Sequence, residues 1–225
     1  MVFSRYIATR GFLAALTVVG LAALPQTAQA QRISGVTASS NMGSFSSTNI
    51  ANTVNGVGLD SLSLTANHAV ANFGDYWLSS FGAATGIIDF DLGGLYDVSG
   101  FSFWNARDVV QTETGIRGVA VTFSTNGSSF FSALGTPTEF AQATTSSATN
   151  APEIFSFSPV SASYVRFTVT SNWGNPNLTG FNEVGFSGTV STPSSVTPEL
   201  PGAMQLLPAL LPVALIGARK RFKKA

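Results

Sequence analysis

The stretch Ser171–Asn177, SNWGNPN, sets an indole among three amides. That combination suits a sugar: aromatic faces stack on the C–H side of a pyranose ring, and planar amides exchange hydrogen bonds with its hydroxyls. Asn172, Trp173, Asn175 and Asn177 are therefore candidate ligand-binding residues. Trp173 has a second reading, as a plug closing one end of a folded core, and the residues alone leave both readings open.

Catalytic constellations are sparse. The chain has one His, His68, and no G-x-S-x-G. A Ser/His/acid triad has to use His68, in LTANHAVANFG, a loop-like stretch where a histidine reads as a surface or turn residue. Asp89 and Asp91 are two apart on a strand-like run and so share a face. Paired carboxylates are the tools of glycoside hydrolysis, which makes this pair the only other catalytic candidate. With no Cys there is no thiol nucleophile, disulfide framework or thiolate zinc site. The expectation is a protein that is not an enzyme.

The elements that must position these residues read as strands. Ser, Thr, Val, Phe, Gly and Asn dominate the middle of the chain, a composition for strands and turns. GIIDFDLGG (86–94) is apolar and β-branched; SGFSFWN (99–105) alternates, with Phe101 and Phe103 on one face. GVAVTFS (118–124) puts Val119, Val121 and Phe123 on one face and is followed by Asn126-Gly127, a hairpin turn signal. EIFSFS (153–158) alternates again, YVRFTVT (164–170) turns Val165, Phe167 and Val169 inward, and NEVGFSG (182–188) closes the set. Short strands, turns between them and no helical period predict an all-β fold, an antiparallel β-sandwich over 31–188. Trp77 and Trp104 fall in strand-like contexts and read as core, while Phe81 is undecided. Between 31 and 197 there are four Arg, no Lys and ten acids, a net charge of −6. Such a surface repels phosphate backbones and excludes nucleic acid as a partner.

In order, DFDLGG, SGFSFWN, VTFSTNGSSF, ASYVRFTV and GFNEVGFSG resemble the discoidin, or coagulation factor V/VIII C-type, domain, which implies a galactose-binding-like jelly roll. Upstream, NTVNGVGLDS and YWLSS are similar to that family's DG turn and the Trp after it; Asn126 stands where the family's later hairpin usually has Asp. The resemblance implies carbohydrate binding without catalysis, and a structural role for Asp91. It also implies one structural calcium between the first turn and the Glu of the last strand. The matching residues are Asn55, where Asp is usual, and Glu183, with Asp60 placed to supply the missing charge. The alternative for Glu183 is an ion pair with an arginine such as Arg166.

The two ends read as addresses. Residues 1–30 have a basic start, an apolar run from Phe12 to Leu24 and Ala28-Gln29-Ala30, small residues two apart of the kind signal peptidase accepts. Cleavage after Ala30 leaves Gln31 first and the chain exported. Residues 189–198 are a Ser/Thr/Pro spacer. A helix over Gly202–Ala218 would rise about 25 Å, close to the span of a bilayer core, and five basic residues follow it as a cytoplasmic stop. Pro198-Glu199, the apolar run and the basic cluster resemble a bacterial PEP-CTERM sorting signal over about 197–225, with 199–225 as the sorting or anchor tail. This implies processing by an exosortase-like membrane protease, or else permanent anchoring at the cell surface. The whole reads as a bacterial surface or matrix protein with a polysaccharide partner. The alternative is a structural biofilm component with no specific sugar, and the third reading is a glycoside hydrolase.

Overall fold

The structure, a computed structural model, describes residues 31–108, 111–145 and 148–191. The readings of Ala28, Ala30, Pro198 and Glu199 lie outside the described residues, as do both apolar end segments. Among the described residues ten strands run in chain order: β1 (Gln31–Arg32), β2 (Thr37–Ser40), β3 (His68–Ala69), β4 (Trp77–Leu78), β5 (Gly86–Asn105), β6 (Val119–Ser124), β7 (Phe131–Ser132), β8 (Thr149–Asn150), β9 (Glu153–Val169) and β10 (Gly180–Val190). Among the described residues the helical content is a single 3-10 turn, Ile50–Thr53, capped by the Asn49 side chain accepting from Ala51 N. All the ladders between strands are antiparallel.

The main ladder has the order β1-β10-β5-β9-β6-β7, with β2 on β5 and β4 on β10. The runs 86–94 and 99–105 are one long strand, β5, and the runs 153–158 and 164–170 are likewise one, β9. Both are bent. The β5–β9 register slips between Asp91 and Tyr96 and again between Val98 and Gly100. Gly93 sits at the first slip with φ +74°, a conformation that disfavours any side chain. The bends fold the ladder over on itself. Phe90, early in β5, and Phe101, late in it, both pack on Phe167, at 5.0 and 5.4 Å between ring centroids, and both also meet Phe186. This is an antiparallel sandwich whose interior is an aromatic cluster, also holding Phe103, Phe140 and Phe181. The alternation in the sequence maps onto it directly: Val119, Val121, Phe123, Val165, Phe167 and Val169 are all buried. Trp77 and Trp104 are buried as well, and their indole N–H groups donate to the Gly43 and Ala66 carbonyls.

Asn126-Gly127 does reverse the chain, but in a loop longer than a two-residue hairpin. Register pairs Phe123 with Phe131, and Asn126 Oδ1 accepts from both Ser128 N and Ser129 N. Residues 41–76 are mostly turns that cover β10 and β5 from outside. One end of the sandwich carries the β5–β9 bend. The other, the open end, carries the connections after β4, β5 and β9, while the loop after β6 lies at the bend end, where Ser124 pairs with Tyr164 and Tyr164 with Asp91.

Candidate functional site

The open end presents the loop read as sugar-binding. Two of its asparagines, Asn172 and Asn175, help build the loop. Asn172 Nδ2 donates to the carbonyls of Asn175 (2.6 Å) and Leu178 (2.8 Å), and its Oδ1 accepts from Gly174 N. Asn175 Oδ1 accepts from Asn177 N and Leu178 N. Short amides close turns on neighbouring backbone in this way. These bonds of Asn172 and Asn175 are all made within the loop. Trp173 lies between its two readings. It is half-buried, its Nε1 donates to Phe140 O, and the Arg117 guanidinium sits 4.9 Å from its ring centroid, itself paired with Glu139.

The residue that the sequence left undecided is the exposed one. Phe81 is 71% exposed, at the tip of a turn closed by Ala83 N donating to Ser80 O. The turn is tied down on two sides. Gly82 N donates to Asn177 O (2.9 Å), Ser80 N to Met42 O, Ser79 N to Thr179 O, and Thr179 Oγ1 to Ala84 O. A bare ring is therefore held next to Asn177 on a fastened support. The signal available in sequence was a lone aromatic in a run of small residues, SSFGAAT. Beside this end a cavity of about 260 Å³ is lined by Phe103, Asn105, Glu153 and neighbouring backbone. Glu153 accepts from Ala141 N there, and burial pushes its carboxyl up.

The two catalytic candidates are engaged elsewhere. His68 is fully buried, against the expectation of a surface position. Its Nδ1 meets Ala69 O at 2.6 Å and the Asn182 amide at 3.4 Å, and among the described residues no hydrogen bond joins the ring to a serine or a carboxylate. Gly58 makes room for it: a Cβ there would fall 2.3 Å from the ring. Asp89 and Asp91 do share a face, lining one shallow groove with Phe130 and Tyr164. Asp89, however, is held in a two-pronged pair by Arg166 (2.6 and 2.9 Å), whose guanidinium stacks on Phe130. Asp91 accepts from Gly93 N at the bend.

The residues implied for calcium separate. The Asn55–Gly56 turn does reach the last strand, Gly56 N donating to Glu183 Oε1 at 3.0 Å. Asn55 Oδ1 instead accepts from Val57 N, and Asp60 is exposed, accepting from Asn67 N. Glu183 is fully buried and pairs with Arg32, not with Arg166. Burial pushes its carboxyl up to about 7, against the downward pull of Arg32 and Gly56. A hard dication needs six or more oxygens at about 2.3–2.6 Å. Among the described residues no three acidic or histidine side chains converge, and a guanidinium already stands against the one buried carboxylate. These residues do not fit calcium.

Residues 35–183 match the model of the F5/8 type C domain. The chain belongs to that family. No curated protein matches it. Among similar solved structures is CpGH89 from Clostridium perfringens, in complex with its substrate GlcNAc-alpha-1,4-galactose: 19% identity, TM-score 0.46, over 73% of this chain and 16% of the hydrolase. This chain thus spans about a sixth of that protein's length. Others are CBM32-1 from a family 31 glycoside hydrolase of the same organism (14%, TM-score 0.49, 69% and 96% covered) and the family 32 CBM of C. perfringens NanJ in complex with galactose (16%, TM-score 0.45, 71% and 98% covered).

Proposed function

We propose that this F5/8 type C domain binds carbohydrate without transforming it, at the open end of the sandwich. The observation that carries the reading is Phe81, an exposed ring on a turn fastened to the Asn177 loop. A platform fixed before the ligand arrives loses little freedom on binding. The engagement of Asp89 with Arg166 and of His68 with backbone supports a role other than hydrolysis. A second reading, a matrix scaffold with no specific sugar, is favoured by Asn172 and Asn175, whose amides serve their own loop. A glycan array probed with the full chain separates the two: discrete sugars retained for a binder, a blank array for a scaffold.

The proposal extends to destination. The chain is exported after cleavage behind Ala30. Its tail, from Pro198-Glu199 onward, is read at the membrane by an exosortase-like protease or kept as an anchor, so that the domain acts at a bacterial surface. Replacing Arg219, Lys220, Arg221, Lys223 and Lys224 by Ser should change membrane retention or processing. An unchanged fate would remove the tail from the account.

A further inference from the structure

The misfit at Glu183 has a cause in the structure. We infer that the Arg32 guanidinium is the resident cation at Glu183, tying the first strand to the last in place of a metal ion. Arg32 is on β1, paired opposite Ser187 of β10, and its side chain is 14% exposed. Its Nη2 donates to Glu183 Oε1, the same oxygen that accepts Gly56 N, so three distant segments meet on one carboxylate. The slot for the guanidinium is built. A Cβ at Gly185 would lie 3.2 Å from Arg32 Cζ and Nη1, and 2.9 Å from Leu64 Cδ2. The missing side chain at 185 thus leaves the floor on which the planar group lies, with Leu64 beside it.

The neighbouring oxygens fit this assignment. The Asn55 amide and the Asp60 carboxylate, which a dication would draw in, are turned to the backbone of their own loops. An arginine stays charged at any pH the fold survives. Unlike a bound ion it is neither diluted nor chelated away. A dication placed beside it would meet a like charge at close range. Glu183, buried without any cation, would carry a large desolvation cost, and the guanidinium offsets part of it.

The test is thermal unfolding of the full-length chain in mild detergent, followed by Trp fluorescence, in chelator and in 5 mM calcium, together with equilibrium dialysis against radioactive calcium. Wild type should melt at the same temperature in both and retain no calcium. Arg32→Ala should lower Tm by on the order of 10 °C, the scale for leaving a buried charge unpaired in a domain of this size. In the Arg32→Ala, Glu183→Gln double variant the loss should be smaller than the sum of the single losses. If Arg32→Ala does not fold, Arg32→Lys, which keeps a charge without the planar fork, should fold with a lowered Tm that calcium does not raise. A rise of several degrees for wild type in calcium, stoichiometric calcium retention, or additive losses in the double variant would overturn the assignment.

Discussion

Truncating Phe167 tests the sandwich at its centre. The side chain is fully buried, and it meets rings from both layers: Phe90 at 5.0 Å, Phe101 at 5.4 Å, Phe140 at 5.7 Å, Phe103 at 6.2 Å and Phe186 at 6.3 Å. Removing the ring forfeits its transfer out of water, about 2–3 kcal/mol, and leaves a void that five rigid neighbours fill poorly. Phe167→Ala should therefore cost about 3–5 kcal/mol, a large part of a typical domain's 5–15 kcal/mol. At about 2–4 °C per kcal/mol that is a fall in Tm of about 6–20 °C. Urea unfolding followed by Trp fluorescence reads it. Ile154→Ala, at a position 57% exposed on β9, is the control and should stay within about 0.5 kcal/mol. A loss below about 1 kcal/mol at Phe167 would mean that the two halves of β5 and β9 do not close over this ring.

Other consequences are measurable. Arg166→Ala breaks a two-pronged but part-exposed pair with Asp89 and should cost no more than about 1 kcal/mol; a loss above 2 kcal/mol in urea titration would give the pair a structural weight not argued for it. The Glu183 carboxyl, raised to about 7 in the fold against about 4.3 when unfolded, binds its proton more tightly in the native state. The stability from this group is complete below pH about 4 and lost as pH rises through 7. Glu183→Gln should flatten the fall in urea midpoint between pH 5 and pH 8, and an unaltered slope would assign that fall to other groups. N-terminal sequencing of secreted protein should begin at Gln31, and a product retaining Arg5 would contradict the export reading.

Strand identity was legible because alternation is a property of one strand and one face. YVRFTVT reads correctly whether it stands alone or ends a longer strand. What alternation cannot carry is continuity: the β5 and β9 runs are joined through bulges at Gly93 and before Val160, where the period breaks and the ladder does not. Buried polar residues were the least legible. His68 and Glu183 are polar in sequence, and they are buried where Gly58 leaves room for the imidazole and Gly185 leaves room for the guanidinium of Arg32, at the far end of the domain's sequence. Arg32 had no local mark at all: its role depends on β1 lying beside β10. Asn172 and Asn175 show why amides are hard to read from sequence. Asparagine is as good at closing turns as at binding sugars, and Asn-Gly-Pro-rich sequence is where turns occur.

Binding by the exposed ring is the central claim, and Phe81→Ala tests it most directly. The position is 71% exposed, so the variant should keep the wild-type Tm within about 2 °C. For a glycan retained on the array, calorimetric titration should show affinity reduced about 10-fold, the loss of about 1.4 kcal/mol of stacking. Unchanged affinity for that glycan in a variant that melts like wild type would contradict the account and move the site off the open end.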